Sequence, residues 1–335
     1  MAVRREILAI GLLAGSATAA NAYEFGFAGA QTMQGVIIGV PAANPPPGLY
    51  GFDQVFTYQA HLVGPGSHLG VNGAQPTVKA DVGTHGFVWV PGWEFLGASY
   101  NATFLLHYVS SALGDPINAT PSGLHNPYIS NALSWRLGDS GFFVKAGLGV
   151  YIPIGTQQGP AGLDSPGTPW WTFQPSLMFS YMKDGWNLTA NLYDEINTEN
   201  SITKYRSGDV FHAEFTATKT IGNWTFGPVG YYVGQVTNDR SSAYWDNLLG
   251  VKNAINTNRY NVWAAGALVG YDWGPASVNV WATREFSANA SGGNAGLPGL
   301  DSATVGKGFT VFAQLNYRIW APEAPAVPKL SGFHK

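Results

Sequence analysis

From about residue 54 to residue 320 the chain alternates apolar and polar positions with a period of two, the signature of strands with two unlike faces. Over residues 95–108 the apolar set is Leu96, Ala98, Tyr100, Ala102, Phe104, Leu106 and Tyr108, against Gly97, Ser99, Asn101, Thr103, Leu105 and His107. In the run 170–182, Trp171, Phe173, Leu177, Phe179 and Tyr181 oppose Thr172, Gln174, Ser176 and Ser180. The same pattern recurs over 186–198, 208–221 and 308–320. Further strands are expected over 54–62, 75–90, 127–137, 141–153, 224–236, 259–272 and 276–286. The total is about 12, an even number. Most are about 11–14 residues long, whereas soluble strands cluster near 5–6 and a tilted membrane-spanning strand needs about 9–11.

The connections alternate between very short and very long. Gly138-Asp139-Ser140, Lys183-Asp184-Gly185, Gly222-Asn223 and Trp273-Gly274-Pro275 are tight turns. Residues 155–169, 237–258 and 287–307 are long polar stretches. This asymmetry predicts an all-β fold, a transmembrane antiparallel up-and-down β-barrel of the bacterial outer-membrane type, with turns on the periplasmic side and loops outside.

Composition agrees. Of 335 residues, 11% are charged, with 12 Trp, 16 Tyr, 18 Phe, 43 Gly and no Cys. A soluble domain carries roughly 25% charge. After the first twenty residues no apolar run reaches the roughly 18–20 residues of a membrane helix. The net charge of −3 provides no basic footprint for nucleic acid. Residues 1–22 read as a signal peptide: Arg4 and Arg5, an apolar core over 7–14, then Ala20-Asn21-Ala22, with cleavage near Ala22. Residues 23–53, centred on Asn44-Pro45-Pro46-Pro47-Gly48, form a Gly/Pro-rich lead-in or plug. Residues 54–320 are the barrel and 321–335 a Pro-rich tail.

Charge sets the direction of the faces. The polar set holds Lys79, Asp81, Arg136, Lys145, Glu195, Glu214, Glu285 and Arg318, which a dry core would not tolerate unpaired. These are expected to line a wet lumen, and the aromatic set to meet lipid, with girdles at both interfaces. Asp194 and Lys219 share the apolar phase but lie near strand ends, at headgroup level. Phe87, Trp89, Trp281 and Phe312 fall on the lumen phase, as an apolar track or as barrel packing.

No metal or cofactor constellation is visible. His61, His68, His85, His107, His125, His212 and His334 are scattered without ligand spacing. No GxSxG elbow, P-loop or dinucleotide fingerprint appears. An outer-membrane lipid hydrolase would need Ser and His on the outer face, whereas His107 and His212 fall inside, so the chain is read as a non-enzyme. The densest polar segment is 193–214: a solvated hairpin, or a cluster of acids and bases at one mouth of the tube. Lys145, Glu195, His212, Glu214, Arg318 and His107 are the candidate lumen-lining residues.

The segment Asn197-Thr198-Glu199-Asn200, then Thr203, Tyr205, Ser207-Gly208-Asp209 and Phe211-His212, is followed by Gly227, Gly230-Tyr231-Tyr232, Gln235, Thr237 and Asp239. It resembles the outer-membrane proteins associated with the meta-pathway of phenol degradation. Pro46-Pro47-Gly48-Leu49-Tyr50 and Gly147-Leu148-Gly149 add to the likeness. The resemblance implies an outer-membrane channel for passive uptake of small hydrophobic or aromatic molecules, with lipid and solute as its partners. A plugged structural or adhesive barrel, binding a partner through its long loops, is the alternative. Oligomeric state stays open.

Overall fold

In the computed structural model, residues 24, 30–65, 67, 77–114, 120–157, 166–250, 252, 256–293 and 303–322 are described. The expected signal peptide, and the tail beyond residue 322, lie outside the described residues.

Fourteen strands form one antiparallel sheet. They are β1 (Gly48–Val63), β2 (Thr77–Val90), β3 (Glu94–Phe95), β4 (Ala98–Leu113), β5 (Ser122–Leu124), β6 (Tyr128–Arg136) and β7 (Phe142–Tyr151). Then come β8 (Thr172–Tyr181), β9 (Trp186–Asn197), β10 (Val210–Ile221), β11 (Trp224–Gln235), β12 (Asn256–Asp272), β13 (Ala276–Gly293) and β14 (Val305–Trp320). β1 pairs with both β2 and β14, and β2 pairs with β4, so the sheet closes on itself. Twelve long strands make the wall; β3 and β5 are short additions to β4. Closure gives each long strand a partner on both sides, the condition for placing strands in hydrocarbon.

Turn chemistry fixes one end. Between β8 and β9, Asp184 (φ 53°) and Gly185 (φ 76°) take the left-handed conformation of a two-residue hairpin. Outward aromatics crowd this turn side: Trp224 on Tyr271 at 4.8 Å, Phe142 on Tyr181 at 5.0 Å, Trp89 on Trp93 at 5.2 Å. A second outward set, Tyr108, Trp171 and Trp263, stands nearer the loops. About eight to ten residues separate the two, or roughly 20–25 Å along the axis at the usual rise and tilt, the height of the apolar band of such barrels.

Several boundaries differ from the sequence reading. β1 starts at Gly48, because Gly48 to Asp53 still pair with β2. β12 and β13 extend through parts of the expected loops, to Asn256 and Gly293. Outside the lipid zone a ladder needs no apolar alternation, so polar residues there hide strand. The 237–258 stretch also holds a short helix, α1 (Ala243–Leu249), closed by Gly250 at φ 73°.

Four assignments to the lumen reverse. Lys79 and Asp81 pair at 3.2 Å on the outer face with side chains half exposed, and Phe87 and Trp89 share that face. The phase was misread in β2 because its loop-side end carries charge on the outer face. Arg136 and Arg318 keep the inner phase but reach the open rim at the turn side, where both are exposed.

Candidate functional site: a lumen occupied by the chain itself

The interior is built as two unlike walls. On one side, Trp281 stacks on Phe312 at 4.8 Å and Phe312 on Phe56 at 4.9 Å, backed by Val229, Tyr231 and Leu268. On the other, β7 to β10 present Lys145, Gln174, Ser180, Asn187, Asn191, Glu195, Glu214 and Thr216. Residues 30–44 run between these walls, and Pro45, Pro46 and Pro47 are exposed.

The path of this segment can be followed through its hydrogen bonds. Near the loops, the amides of Gln31 and Thr32 donate to the Glu195 carboxylate at 2.9 and 2.7 Å. One turn on, the amides of Gly35 and Ile37 donate to Glu214 at 2.9 and 3.0 Å. Tyr193 donates its hydroxyl to the same carboxylate at 2.7 Å. The Gly39 amide reaches Thr216 Oγ1 at 2.8 Å and the Ala42 amide Ser180 Oγ at 2.7 Å. Carbonyls are served too: Asn191 donates to Ile37 and Val40, Asn187 to Gly39, Ser134 to Ala42, and Trp281 Nε1 to Gly35. Lys145 Nζ approaches the Pro41 carbonyl at 3.4 Å.

Three linked turns shape the segment, with Val36 bonded to Met33, Ile38 to Gly35 and Val40 to Ile37. Gly35 and Gly39 sit at φ 84° and 88°, a region costly for a residue with a Cβ. A side chain at Gly35 would also press on the Tyr231 ring at 3.2 Å. Ile38 is fully buried against the aromatic wall. The segment is therefore amphipathic without being a helix or strand: its amides face carboxylates and hydroxyls, its carbonyls face amide side chains, and Ile38 and Val36 face the apolar wall.

At the loop end a second set of bonds secures it. The Glu24 carboxylate accepts from Asn200 Nδ2 at 2.6 Å, Trp245 Nε1 at 2.7 Å and the Thr203 hydroxyl, and its amide donates to Ser207 Oγ. Burial pushes this carboxyl above its ordinary value, while those donors pull it partly back. Beneath it, Asp239 accepts from the Tyr205 hydroxyl at 2.6 Å, the Gly208 amide at 2.7 Å and Gln235 Nε2 at 2.9 Å. The family-like residues Asn200, Thr203, Tyr205, Ser207, Gln235 and Asp239 thus knit two loops into a cover over the lumen. The 193–214 segment is largely buried, where a solvated hairpin was one expectation.

The six sequence candidates separate accordingly. Glu195, Glu214 and Lys145 touch the N-terminal segment. His212 is buried, stacked on Tyr193 at 4.5 Å, with Nε2 3.5 Å from Glu195. His107 bonds Thr84 Oγ1 at 2.8 Å and lies against His125, 6.1 Å between rings. Burial, with His107 adding to it, lowers the His125 ring to about 3 and keeps it neutral. Arg318 stands apart at the rim. Among the described residues no group of three His, Cys, Asp or Glu could hold a metal ion. Glu24, Gln31, Thr32, Gly35 and Trp245 were missed, because nothing local marks a segment whose partners lie more than a hundred residues away.

Among the irregularities of the wall, one lies between β13 and β14. β13 and β14 pair only up to Arg284 and Phe309, although β13 continues to Gly293 and β14 begins at Val305. A bulge in β13 at Phe286 shifts its register on β12, and beyond it β13 stays paired with β12 but not with β14. Above, the Ala303 amide bonds the Gly292 carbonyl. Between lies a window in the ladder, spanned by the Glu285 side chain, which accepts from the Gly308 amide at 2.6 Å and the Tyr58 and Tyr231 hydroxyls at 2.9 and 2.8 Å.

The family profile described as "Putative MetA-pathway of phenol degradation" matches residues 54–297. The COG4313 outer membrane channel from Pseudomonas putida F1 superposes with a TM-score of 0.65 at 11% identity, covering 83% of this chain and 98% of that one. At that identity the likeness is one of fold. A Pseudomonas aeruginosa FadL homologue and the TodX deltaS2S3 mutant monoaromatic hydrocarbon channel are looser, each with a TM-score of 0.42 at 10% and 8% identity. They cover 89% of this chain and 98% and 96% of their own. No curated protein sequence matches.

Proposed function

This chain belongs to the family of the MetA-pathway of phenol degradation, and from that premise we propose that it is an outer-membrane channel for passive uptake of small hydrophobic or aromatic molecules. The observation that carries the reading is the pairing of a stacked aromatic wall, Phe56, Phe312 and Trp281, with an unpaired window between β13 and β14 beside it. A hydrophilic solute needs a wet column through the lumen, and residues 30–44 fill that column. An apolar solute needs only a greasy surface and a way into lipid. It would enter by parting the loop cover, pass along the rings beside the docked segment and leave sideways where the ladder stops, without crossing to the turn side. The N-terminal segment then acts as the stopper that spares the cell an open pore. The chain's own residues bind and guide; no bond is made or broken.

The test is uptake of a radiolabelled aromatic hydrocarbon by cells expressing the protein, beside an empty vector and the Trp281→Ala/Phe312→Ala variant. Uptake above the vector, reduced in the variant, supports the reading. Uptake equal to the vector with the barrel folded overturns it. The filled lumen also suits a second reading, a structural barrel with partner-binding loops, and that outcome, with no conductance under any condition, would favour it.

A further inference from the structure

The outer surface of the window carries charge where a barrel wall should carry none. Alternation and exposure place Arg284 of β13, Lys307 of β14, and Lys79 and His61 of β2 and β1 on the outward phase. They border an open pocket of about 780 Å³, whose rim also includes Phe286 and Phe309, 60% and 45% exposed. The whole sequence has only 17 Lys and Arg in 335 residues. Three of them converge on this one lipid-facing patch.

Their height matters. A cation on the lipid face is costly at the bilayer midplane and nearly free at the interface. Counting from the turn-side strand ends, Arg284, Lys79 and Lys307 stand roughly 20, 28 and 33 Å up at the usual rise and tilt. That is the upper border of the apolar band, level with or above the second aromatic set. Position alone therefore permits the charges but does not ask for them.

Among the described residues, Asp81 is the one carboxylate that meets any of them on the outer face. Among the described residues Arg284 and Lys307 have no ion-pair partner. Lys79 meets Asp81 at 3.2 Å, with both side chains half exposed. The pocket's acid, Glu285, feels the Lys307 charge but turns inward, where it accepts from Gly308, Tyr58 and Tyr231. An apolar solute would not call for a ring of cations, and a dissolved anion would not call for two exposed phenylalanines. An amphiphile with a phosphate at its head and chains below it calls for both: charge-assisted bonds from guanidinium and ammonium to phosphate oxygens, and rings against methylenes.

We propose that this pocket holds the phosphorylated head group of an outer-leaflet lipid, with Arg284 and Lys307 on the phosphate, Lys79 beside them, and Phe286 and Phe309 against the acyl chains. The site lies outside the barrel and does not depend on what passes through it. Its occupant would stand at the outer face of the window.

The test uses the purified full-length barrel in detergent, delipidated and titrated with diphosphoryl lipid A, with its enzymatically dephosphorylated counterpart and with inorganic phosphate, read by native mass spectrometry. Diphosphoryl lipid A should bind at least about tenfold more tightly than the phosphate-free lipid, with affinity falling as salt rises. Arg284→Gln/Lys307→Gln should abolish that preference, and Arg284→Lys/Lys307→Arg should restore most of it. Both variants alter outward side chains, and heat-modifiable gel migration checks that each still folds. Equal binding of the two lipids, or equal binding by the native and Gln variants, overturns the proposal. Binding of inorganic phosphate as tight as that of the lipid would make this a site for soluble anions and would overturn the lipid assignment.

Discussion

Replacing Glu214 by Ala should unseat the N-terminal segment while leaving the wall intact. The carboxylate is 1% exposed and accepts two amides of the segment, those of Gly35 and Ile37. Bonds to a charged acceptor contribute about 1.5–3 kcal/mol each, so their loss disfavours the docked segment by about 3–6 kcal/mol. At about 1.4 kcal/mol per factor of ten, the undocked population rises by roughly 10²- to 10⁴-fold. The wall bonds of β10 to β9 and β11 are backbone bonds and stay as they are. Planar-bilayer recording is the assay. The native protein should show small, rare conductance steps, and Glu214→Ala larger and more frequent ones, with Glu195→Ala acting in the same direction through Gln31 and Thr32. Conductance in Glu214→Ala equal to native, with unchanged gel mobility of the folded form, would refute the idea that these carboxylates hold a stopper in place.

Three further outcomes follow from the same contacts. The docked Glu24 carboxyl has a raised pKa, so it binds its proton more tightly docked than free. Its contribution is therefore full below the free value of 4.5 and is lost as pH climbs through the docked value. Channel openings should thus become more frequent as pH rises through that window, and Glu24→Gln, with nothing to titrate, should flatten the dependence. Gly35→Ala forces a Cβ into a left-handed backbone against Tyr231 and should loosen the segment by about 1–2 kcal/mol, seen as an intermediate rise in conductance. Trp281→Ala removes a fully buried ring and the bond to the Gly35 carbonyl, and should lower stability by about 3–5 kcal/mol in urea unfolding from detergent.

The barrel was legible because its physics is local in sequence. In β4, β8, β9 and β10 one face meets lipid and the other does not, so hydrophobicity alternates and the turns declare themselves through Asp184-Gly185 or Gly222-Asn223. Legibility fades where lipid stops. The upper parts of β12 and β13 are polar on both faces and read as loop, and Lys79 and Asp81 misled because interface height lets charge sit on the outer phase. The lumen was harder for another reason. Lys145, Glu195, His212 and Glu214 were read as polar lumen-lining residues, but the sequence did not show that Glu195 and Glu214 accept from backbone amides of residues 31–37. A backbone amide carries no residue identity, so neither the Pro/Gly-rich composition of that segment nor its spacing names the acceptors. The charge over residues 193–214 was read as a solvated hairpin or as a cluster at one mouth; the cage around Glu24 and Asp239 shows what Asn200, Thr203, Tyr205 and Gln235 bind there.

Absence of cysteine allows a direct test of where the N-terminal segment lies. The Ala42 amide is 2.7 Å from Ser180 Oγ, which brings the two backbones within reach of a disulfide. In the Ala42→Cys/Ser180→Cys variant, oxidised in intact outer membranes, the account predicts a cross-link that shifts gel mobility and suppresses the openings produced by Glu214→Ala. Failure to cross-link in a folded barrel, with both thiols open to a water-soluble maleimide, would contradict it.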